Sequence, residues 1–174
     1  GVLLLPKGKD LESKHLLSSY RELCLLLKGI DITGEEFYEK SKEIYFKSTR
    51  GEITKAEQLK LLSGILNLTP QKIEKSFTYT IKSHIIENKL LINFLIKLRK
   101  KGYKLGILSI QQHLSKNAQI PQKYKNIFDK MVVSCDDKLR KPDPAAYELI
   151  LKRLKVRPSE MLFVDDKQEN VEGA

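Results

Sequence analysis

Cysteine is scarce in this sequence, and long apolar runs are absent. The only cysteines are Cys24 and Cys135, which lie far apart and have no second cysteine or histidine at metal-ligand spacing. Zinc sites and disulfide frameworks need such spacing, so both are disfavoured. No apolar run approaches the roughly 20 residues that a membrane-spanning helix needs. We therefore expect a protein of the reducing cytoplasm that has no membrane partner.

Charge of one sign is not concentrated in any one stretch. The formal net charge is +10, but the lysines are spread through amphipathic segments and form no stripe interleaved with aromatic residues. This pattern favours a solvated surface over a nucleic-acid-binding face, and a positive excess suits a small anionic substrate. His15, His84 and His113 are scattered along the chain, and we assign them no role.

Helical patterns dominate residues 11–88. Thr33 and Thr54 each precede a glutamate at capping-box spacing, and Thr69 directly precedes a proline. All three are typical of the residue before a helix. An earlier apolar stripe predicts one more helix, which ends near Gly29. That stripe consists of Leu16, Tyr20, Leu23 and Leu27. We predict no strand within residues 11–88.

Helices and short apolar strands alternate from residue 89 onward. Strands are predicted over residues 104–108, 131–133 and 161–164. The intervening helices carry the apolar stripes Leu91, Phe94, Leu95, Leu98 and Tyr147, Ile150, Leu151, Leu154. This alternation predicts an α/β fold with a mainly parallel, Rossmann-like sheet that helices cover on both faces. Since residues 11–88 cannot belong to that sheet, we interpret them as an inserted all-helical cap on a core of residues 1–10 and 89–174.

Polar side chains come directly after these strands. Ser109 follows the first strand, Asp165 and Asp166 follow the third, and Lys141 lies between the second strand and the next helix. Ligands collect at the carboxyl ends of parallel strands. Adjacent carboxylates repel each other unless a cation neutralises them, and Mg²⁺ prefers oxygen ligands. Each residue alone has an ordinary structural explanation, but their combination favours a site for phosphate and magnesium.

Three segments resemble motifs of the haloacid dehalogenase-like (HAD) hydrolase superfamily. The second motif is similar to Lys100-Lys-Gly-Tyr-Lys-Leu-Gly-Ile-Leu-Ser109, the third to Lys141-Pro-Asp-Pro-Ala-Ala-Tyr147, and the fourth to Phe163-Val-Asp-Asp-Lys-Gln-Glu-Asn-Val-Glu-Gly-Ala174. The helical segment resembles the small cap that one branch of the superfamily inserts after its first strand. The resemblance therefore implies the same fold as the strand pattern.

The first motif of the superfamily has no counterpart. It is a strand that ends in two aspartates one residue apart, and no Asp-x-Asp occurs in the 174 residues. The segment Gly1-Val-Leu-Leu4 resembles the residues that come immediately after those aspartates in the family. We therefore expect an internal fragment, truncated at both ends, which lacks the nucleophile and is inactive by itself.

The resemblance implies a magnesium-dependent phosphatase that acts on a small phosphorylated metabolite. The first absent aspartate would form an aspartyl-phosphate, and the second would serve as acid and base. Ser109 would bind the transferring phosphoryl group, and Lys141 would be the catalytic cation that neutralises it. Asp166 would ligate Mg²⁺ directly, and Asp165 would act behind it or through water.

Other functions stay open at this point. An acidic pair in the fourth motif disfavours the metal-free dehalogenases, but a phosphomutase or a nucleophile-less binding or regulatory protein fits the same residues. A basic nucleic-acid binder ranks last. Many relatives have Asn after the second-motif Ser or Thr, whereas this chain has Ile110, Gln111 and Gln112. Whether the chain contacts the phosphate or the leaving group near Ile110 is therefore an open question at this point. Neither the substrate nor the oligomeric state can be deduced from the sequence.

Overall fold

The computed structural model describes residues 23, 24, 27, 30–120, 124 and 126–174, together with the backbone of residues 4–6. In chain order, the elements are β1 (Leu4–Pro6), α1 (Gly34–Thr49), α2 (Lys55–Leu66), α3 (Pro70–His84), β2 (Ile85–Glu87), α4 (Lys89–Lys100), β3 (Gly106–Ser109), α5 (Lys116–Gln119), β4 (Lys130–Val133), α6 (Ser134–Asp137), α7 (Pro144–Leu154), a 3₁₀ turn (Pro158–Glu160) and α8 (Gln168–Gly173). Most of the predicted helix before Gly29 lies outside the described residues. No helix of the described part is long and apolar enough to cross a membrane.

The helix starts in the predicted cap are confirmed. Thr33 and Thr54 form complete capping boxes with Glu36 and Glu57, and Thr69 caps α3 ahead of its initial proline. Helices α1, α2 and α3 pack around one apolar cluster. Its buried members are Leu23, Leu27, Phe37, Leu59, Leu62, Leu66, Ile73, Phe77 and Leu114. Leu114 comes from the segment after β3, so this cluster also joins the helices to the rest of the chain.

The prediction that residues 11–88 contain no strand is wrong at Ile85–Glu87. This segment is β2, and it pairs antiparallel with β1, with Leu5 opposite Ile86. A three-residue strand carries little periodic signal and exists only through its partner, which here lies far away in the sequence. The β1–β2 ribbon brings the two ends of the helical segment together. The boundaries of the cap at residues 11 and 88 stay a prediction.

Strands β3 and β4 form a parallel pair, as predicted for the α/β core. Ser109 lies opposite Val133 at the carboxyl end of the pair. One face of the pair contacts Ile120 and Cys135, and the other contacts Ile150 and Leu154 of α7. Because successive residues of a strand point to opposite faces, a strand covered on both sides is apolar throughout.

The predicted strand at residues 161–164 is not formed. This segment has no ladder partner among the described residues, and Leu162 and Val164 are 87% and 60% exposed. A strand needs a neighbour to bond its backbone groups, and none lies beside this segment in the described part of the chain. The predicted apolar stripe of α4 is not fully buried either, since Phe94 is 55% exposed. With two parallel strands paired in the described part of the chain, little sheet surface is available there to cover these side chains.

The α1–α2 loop (residues 50–54) lies directly on the core. Gly51 has φ 67°, and a Cβ atom there would be 2.8 Å from the carbonyl oxygen of Cys135. Only glycine combines this left-handed conformation with so close an approach. A buried hydrogen-bond chain reinforces the contact. It runs from Ser48 Oγ to Gln58 Oε1 (2.8 Å) and from Gln58 Nε2 to Gln112 Oε1 (2.6 Å).

Replacing Gly51 should therefore be costly, and Gly64 provides the control. Gly64 lies inside α2, and apart from its chain neighbours and its own helix backbone no atom lies within 4 Å of a Cβ position. We expect Gly51→Ala to lower the free energy of unfolding by about 1–3 kcal/mol. Gly64→Ala should raise it by about 0.5–1 kcal/mol, because alanine is the better helix former. Urea denaturation measures both, and equal effects would contradict the described loop contact.

Candidate active site

A buried ion pair between Lys141 and Asp165 is the centre of the candidate site. Lys141 Nζ lies 2.5 Å from Asp165 Oδ2, and the two side chains are 8% and 6% exposed. Lys141 belongs to the loop between α6 and α7, and its peptide bond to Pro142 is cis. Asp165 follows the extended segment 161–164. The structure thus joins two of the residues that the sequence singled out.

Hydrogen bonds keep the Asp165 carboxylate ionised. Its Oδ1 atom accepts from the Lys167 backbone N–H and from Asn170 Nδ2, both at 2.9 Å. Burial by itself raises the pKa of Asp165, but the bonds from Lys141, Asn170 and Lys167 outweigh burial and hold that pKa below its usual value. The carboxylate therefore has partners on both oxygens within the protein.

Asn170 completes this arrangement, and it was not predicted from the sequence. It is 2% exposed, and its backbone carbonyl accepts from the Tyr147 hydroxyl at 2.7 Å. Its amide orientation is fixed because Nδ2 must donate to Asp165. The Oδ1 atom is buried and has no hydrogen-bond partner among the described residues. A buried amide oxygen without a donor is costly. The sequence signal that could have identified Asn170 is its spacing: it lies four residues after Asp166, which is about one helical turn.

Asp166 differs from its neighbour in exposure. Its side chain is exposed, whereas Asp165 is enclosed by Lys141 and Asn170. The carboxylate of Asp166 and the unsatisfied Oδ1 of Asn170 are hard oxygen donors from one short stretch of chain, and Mg²⁺ selects such donors. The donor chemistry of these residues therefore suits a magnesium ion. That Asp166 is the direct ligand and Asp165 acts behind it stays a prediction.

Ser109 lies at the carboxyl end of β3. Its Oγ accepts from Gln111 Nε2 at 3.0 Å and bonds neither Lys141 nor Asp165. Gln111 is itself held, because its Oε1 accepts from Ser115 Oγ at 2.9 Å and its Nε2 also donates to Gln119 Oε1 at 2.6 Å. A buried glutamine two residues after Ser109 therefore orients the serine side chain. The convergence of Ser109 with Lys141 on one phosphate stays a prediction.

Comparison with known proteins identifies the family. The sequence profile of the haloacid dehalogenase-like hydrolases matches residues 10–174, and the chain belongs to this family. It is 30% identical over 148 residues to mouse acyl-CoA dehydrogenase family member 10, covering 85% of this chain. It is 34% identical over 88 residues to pyrophosphatase PpaX of Bacillus velezensis, covering 50% of this chain.

A solved structure shows the same fold. The HAD family enzyme bt-2542 from Bacteroides thetaiotaomicron, in complex with magnesium and inorganic phosphate, superimposes with a TM-score of 0.71 at 20% identity. The match covers 99% of this chain and 84% of that one. The curated relatives are longer: the chain spans 12% of the mouse protein and 41% of the Bacillus protein.

The ion pair allows a matched test of the two aspartates. Asp165→Asn leaves Lys141 as an uncompensated buried charge, so we expect the free energy of unfolding to fall by about 3–5 kcal/mol. Asp166→Asn changes an exposed side chain, and interactions at exposed positions contribute less, so its effect should be clearly smaller. Both values come from urea denaturation at neutral pH in the absence of divalent cations. Similar losses in the two variants would mean that the described pair is not buried as stated.

Proposed function

We propose that the intact protein is a magnesium-dependent phosphatase that acts on a small phosphorylated metabolite. The observation that carries the proposal is the buried Lys141–Asp165 pair with an exposed carboxylate and an unsatisfied amide oxygen beside it. A protein gains little stability from burying such a pair. A site that binds phosphate and a cation together needs both a positive and a negative side chain, which would explain why Lys141 and Asp165 are buried as a charged pair.

Mg²⁺, when bound, supplies charge neutralisation at a phosphate oxygen. Asp166 would hold it directly, and Asn170 Oδ1 would satisfy its missing bond on the ion or on a water molecule bound to it. Asp165 would stay behind Asp166, because its oxygens are already used by Lys141, Asn170 and the Lys167 backbone. Its task would then be to fix the position of Lys141.

Lys141 and Ser109 act on the phosphoryl group itself. The Lys141 ammonium offsets the charge that develops on the transferring oxygens, and the Ser109 hydroxyl donates a hydrogen bond to one of them. Gln111 orients that hydroxyl. A carboxylate nucleophile attacks phosphorus, the leaving oxygen is protonated, and water then cleaves the aspartyl-phosphate. Since residues 1–174 hold no Asp-x-Asp, the proposal takes the nucleophile and the acid from sequence outside these residues.

The comparisons support this chemistry. The Bacteroides enzyme, which has the same fold, was crystallised with magnesium and phosphate, and the Bacillus relative is named a pyrophosphatase. Proteins similar to this chain in fold or in sequence therefore bind or act on phosphate groups.

The second candidate function is that of a nucleophile-less binding protein. Residues 1–174 include the residues that would bind phosphate and metal, and no Asp-x-Asp lies within them. Such a protein would bind an anion at Lys141 and Ser109 without turnover. The two functions differ in catalysis and agree in binding, so an activity assay on a longer protein separates them.

The test uses protein that includes the coding sequence upstream of Gly1, assayed for phosphate release from an aryl phosphate with and without Mg²⁺. We expect magnesium-dependent turnover that falls by about 100- to 1000-fold in Lys141→Met, as for loss of a group that stabilises transition-state charge. Lys152→Met, which removes an exposed lysine of α7, is the control and should leave kcat/KM unchanged.

Two results would overturn the phosphatase proposal. The first is a folded, extended protein that binds Mg²⁺ and phosphate without turnover, which supports the binding protein. The second is activity that Lys141→Met and chelation leave intact, because such activity would not arise at this site.

A further inference from the structure

Three potential metal ligands meet where the α1–α2 loop contacts the core. They are His113, Cys135 and Asp136, and their ligand atoms all lie within 4.8 Å of one another. Asp136 Oδ1 is 3.8 Å from His113 Nδ1 and 3.8 Å from Cys135 Sγ. These residues are separate from Lys141, Asp165 and Asp166. The cluster is not visible in the sequence, because His113 and Cys135 have no ligand spacing and only the parallel β3–β4 pair brings them together.

The hydrogen bonding of His113 leaves the correct nitrogen for a metal. Its Nε2 atom lies 3.0 Å from the carbonyl oxygen of Ile53. A carbonyl only accepts, so Nε2 carries the proton and Nδ1 of the neutral ring holds the lone pair that faces Asp136. Histidines that ligate metals characteristically donate their other N–H to a carbonyl or carboxylate. The ring is 14% exposed, so its orientation is fixed by packing as well.

The distances are close to those of a tetrahedral ion. With metal–nitrogen and metal–oxygen bonds of about 2.0 Å and a metal–sulfur bond of about 2.3 Å, the oxygen and nitrogen ligands of zinc lie roughly 3.3 Å apart and the oxygen and sulfur ligands roughly 3.5 Å apart. The two 3.8 Å separations exceed these values by about 0.3–0.5 Å, and the third pair of ligand atoms lies within 4.8 Å, so side-chain rotations would have to bring the three ligands onto an ion. Asp136 is 45% exposed, which leaves the fourth position open to water.

A positive charge already occupies one edge of the cluster. Lys116 Nζ lies 2.6 Å from Asp136 Oδ1, the oxygen that also faces His113 and Cys135. The ammonium would compete with a metal for this oxygen. Lys116 is 29% exposed on its side chain and belongs to the short helix α5, so it can turn toward solvent when an ion binds.

Thiol chemistry is a weaker explanation for Cys135. Burial, with a smaller contribution from Asp136, raises the pKa of the Cys135 thiol to about 11. Nucleophilic and redox-sensing cysteines have a lowered pKa and are accessible, whereas Cys135 is 3% exposed.

We infer that His113, Cys135 and Asp136 form a binding site for a borderline-soft divalent cation, of which Zn²⁺ is the best match. Imidazole with thiolate and carboxylate suits zinc, and magnesium disfavours a thiolate ligand. Because the His113 ring bonds Ile53 of the α1–α2 loop, an ion here would fix that loop on the core. This inference is independent of the proposed phosphatase activity.

Cobalt titration tests the site on the purified extended protein, which includes the coding sequence upstream of Gly1, since Co²⁺ replaces Zn²⁺ and reports its ligands by absorption. We expect a near-ultraviolet charge-transfer band, which requires a thiolate ligand, and visible bands of tetrahedral intensity, all of which stoichiometric Zn²⁺ abolishes. Cys135→Ser should remove the charge-transfer band, and Cys24→Ser is the matched control that should keep it. Circular dichroism establishes that each variant is folded.

Two further variants keep the inference falsifiable if Cys135→Ser does not fold. His113→Gln, at a partly exposed position, should weaken cobalt binding by at least about tenfold. Lys116→Met should strengthen it, because the competing ammonium is gone. Absence of the charge-transfer band in the wild-type chain at saturating Co²⁺, or a band that Cys24→Ser removes, would overturn the inference.

Discussion

The buried ion pair between Lys141 and Asp165 is the constraint on which the rest of the site depends. Moving two charges out of water costs several kcal/mol for each ion, and only close pairing with further hydrogen bonds repays it. Asp165 has those bonds from Asn170 and the Lys167 backbone. The pair therefore fixes the loop before α7 against the chain before α8.

Coupling between the helical segment and the core is polar as well as apolar. Leu114 joins the apolar cluster of α1, α2 and α3, and buried amides of Gln58 and Gln112 bond across the same boundary. Buried polar groups are stable only when satisfied, so such a network specifies one arrangement. Ser109 at the end of β3 and the α1–α2 loop are consequently held by the same short segment, residues 111–114.

Signals that span only a few residues, such as capping residues and short apolar runs, correctly predicted the local elements. Thr33 and Thr54 cap helices as expected, and the apolar runs around Ile107 and Val132 form the parallel pair. Long-range partners decided the rest. Ile85–Glu87 is a strand because it pairs with β1. Residues 161–164 form no strand because no neighbouring strand lies beside them in the described part of the chain. The role of Asn170 depends on its hydrogen bond to Asp165 in the folded chain. Spacing in a sequence does not record such contacts, which is why the acidic pair was found and the amide beside it was not.

The most direct measurement of the central claim is a crystal structure of the extended protein with Mg²⁺ and inorganic phosphate. We predict a metal about 2.0–2.1 Å from an Asp166 oxygen. We also predict phosphate oxygens on Lys141 Nζ and Ser109 Oγ, with Asp165 still bonded to Lys141. A phosphate bound elsewhere, or a metal held by Asp165 with the Lys141 pair broken, would contradict the claim.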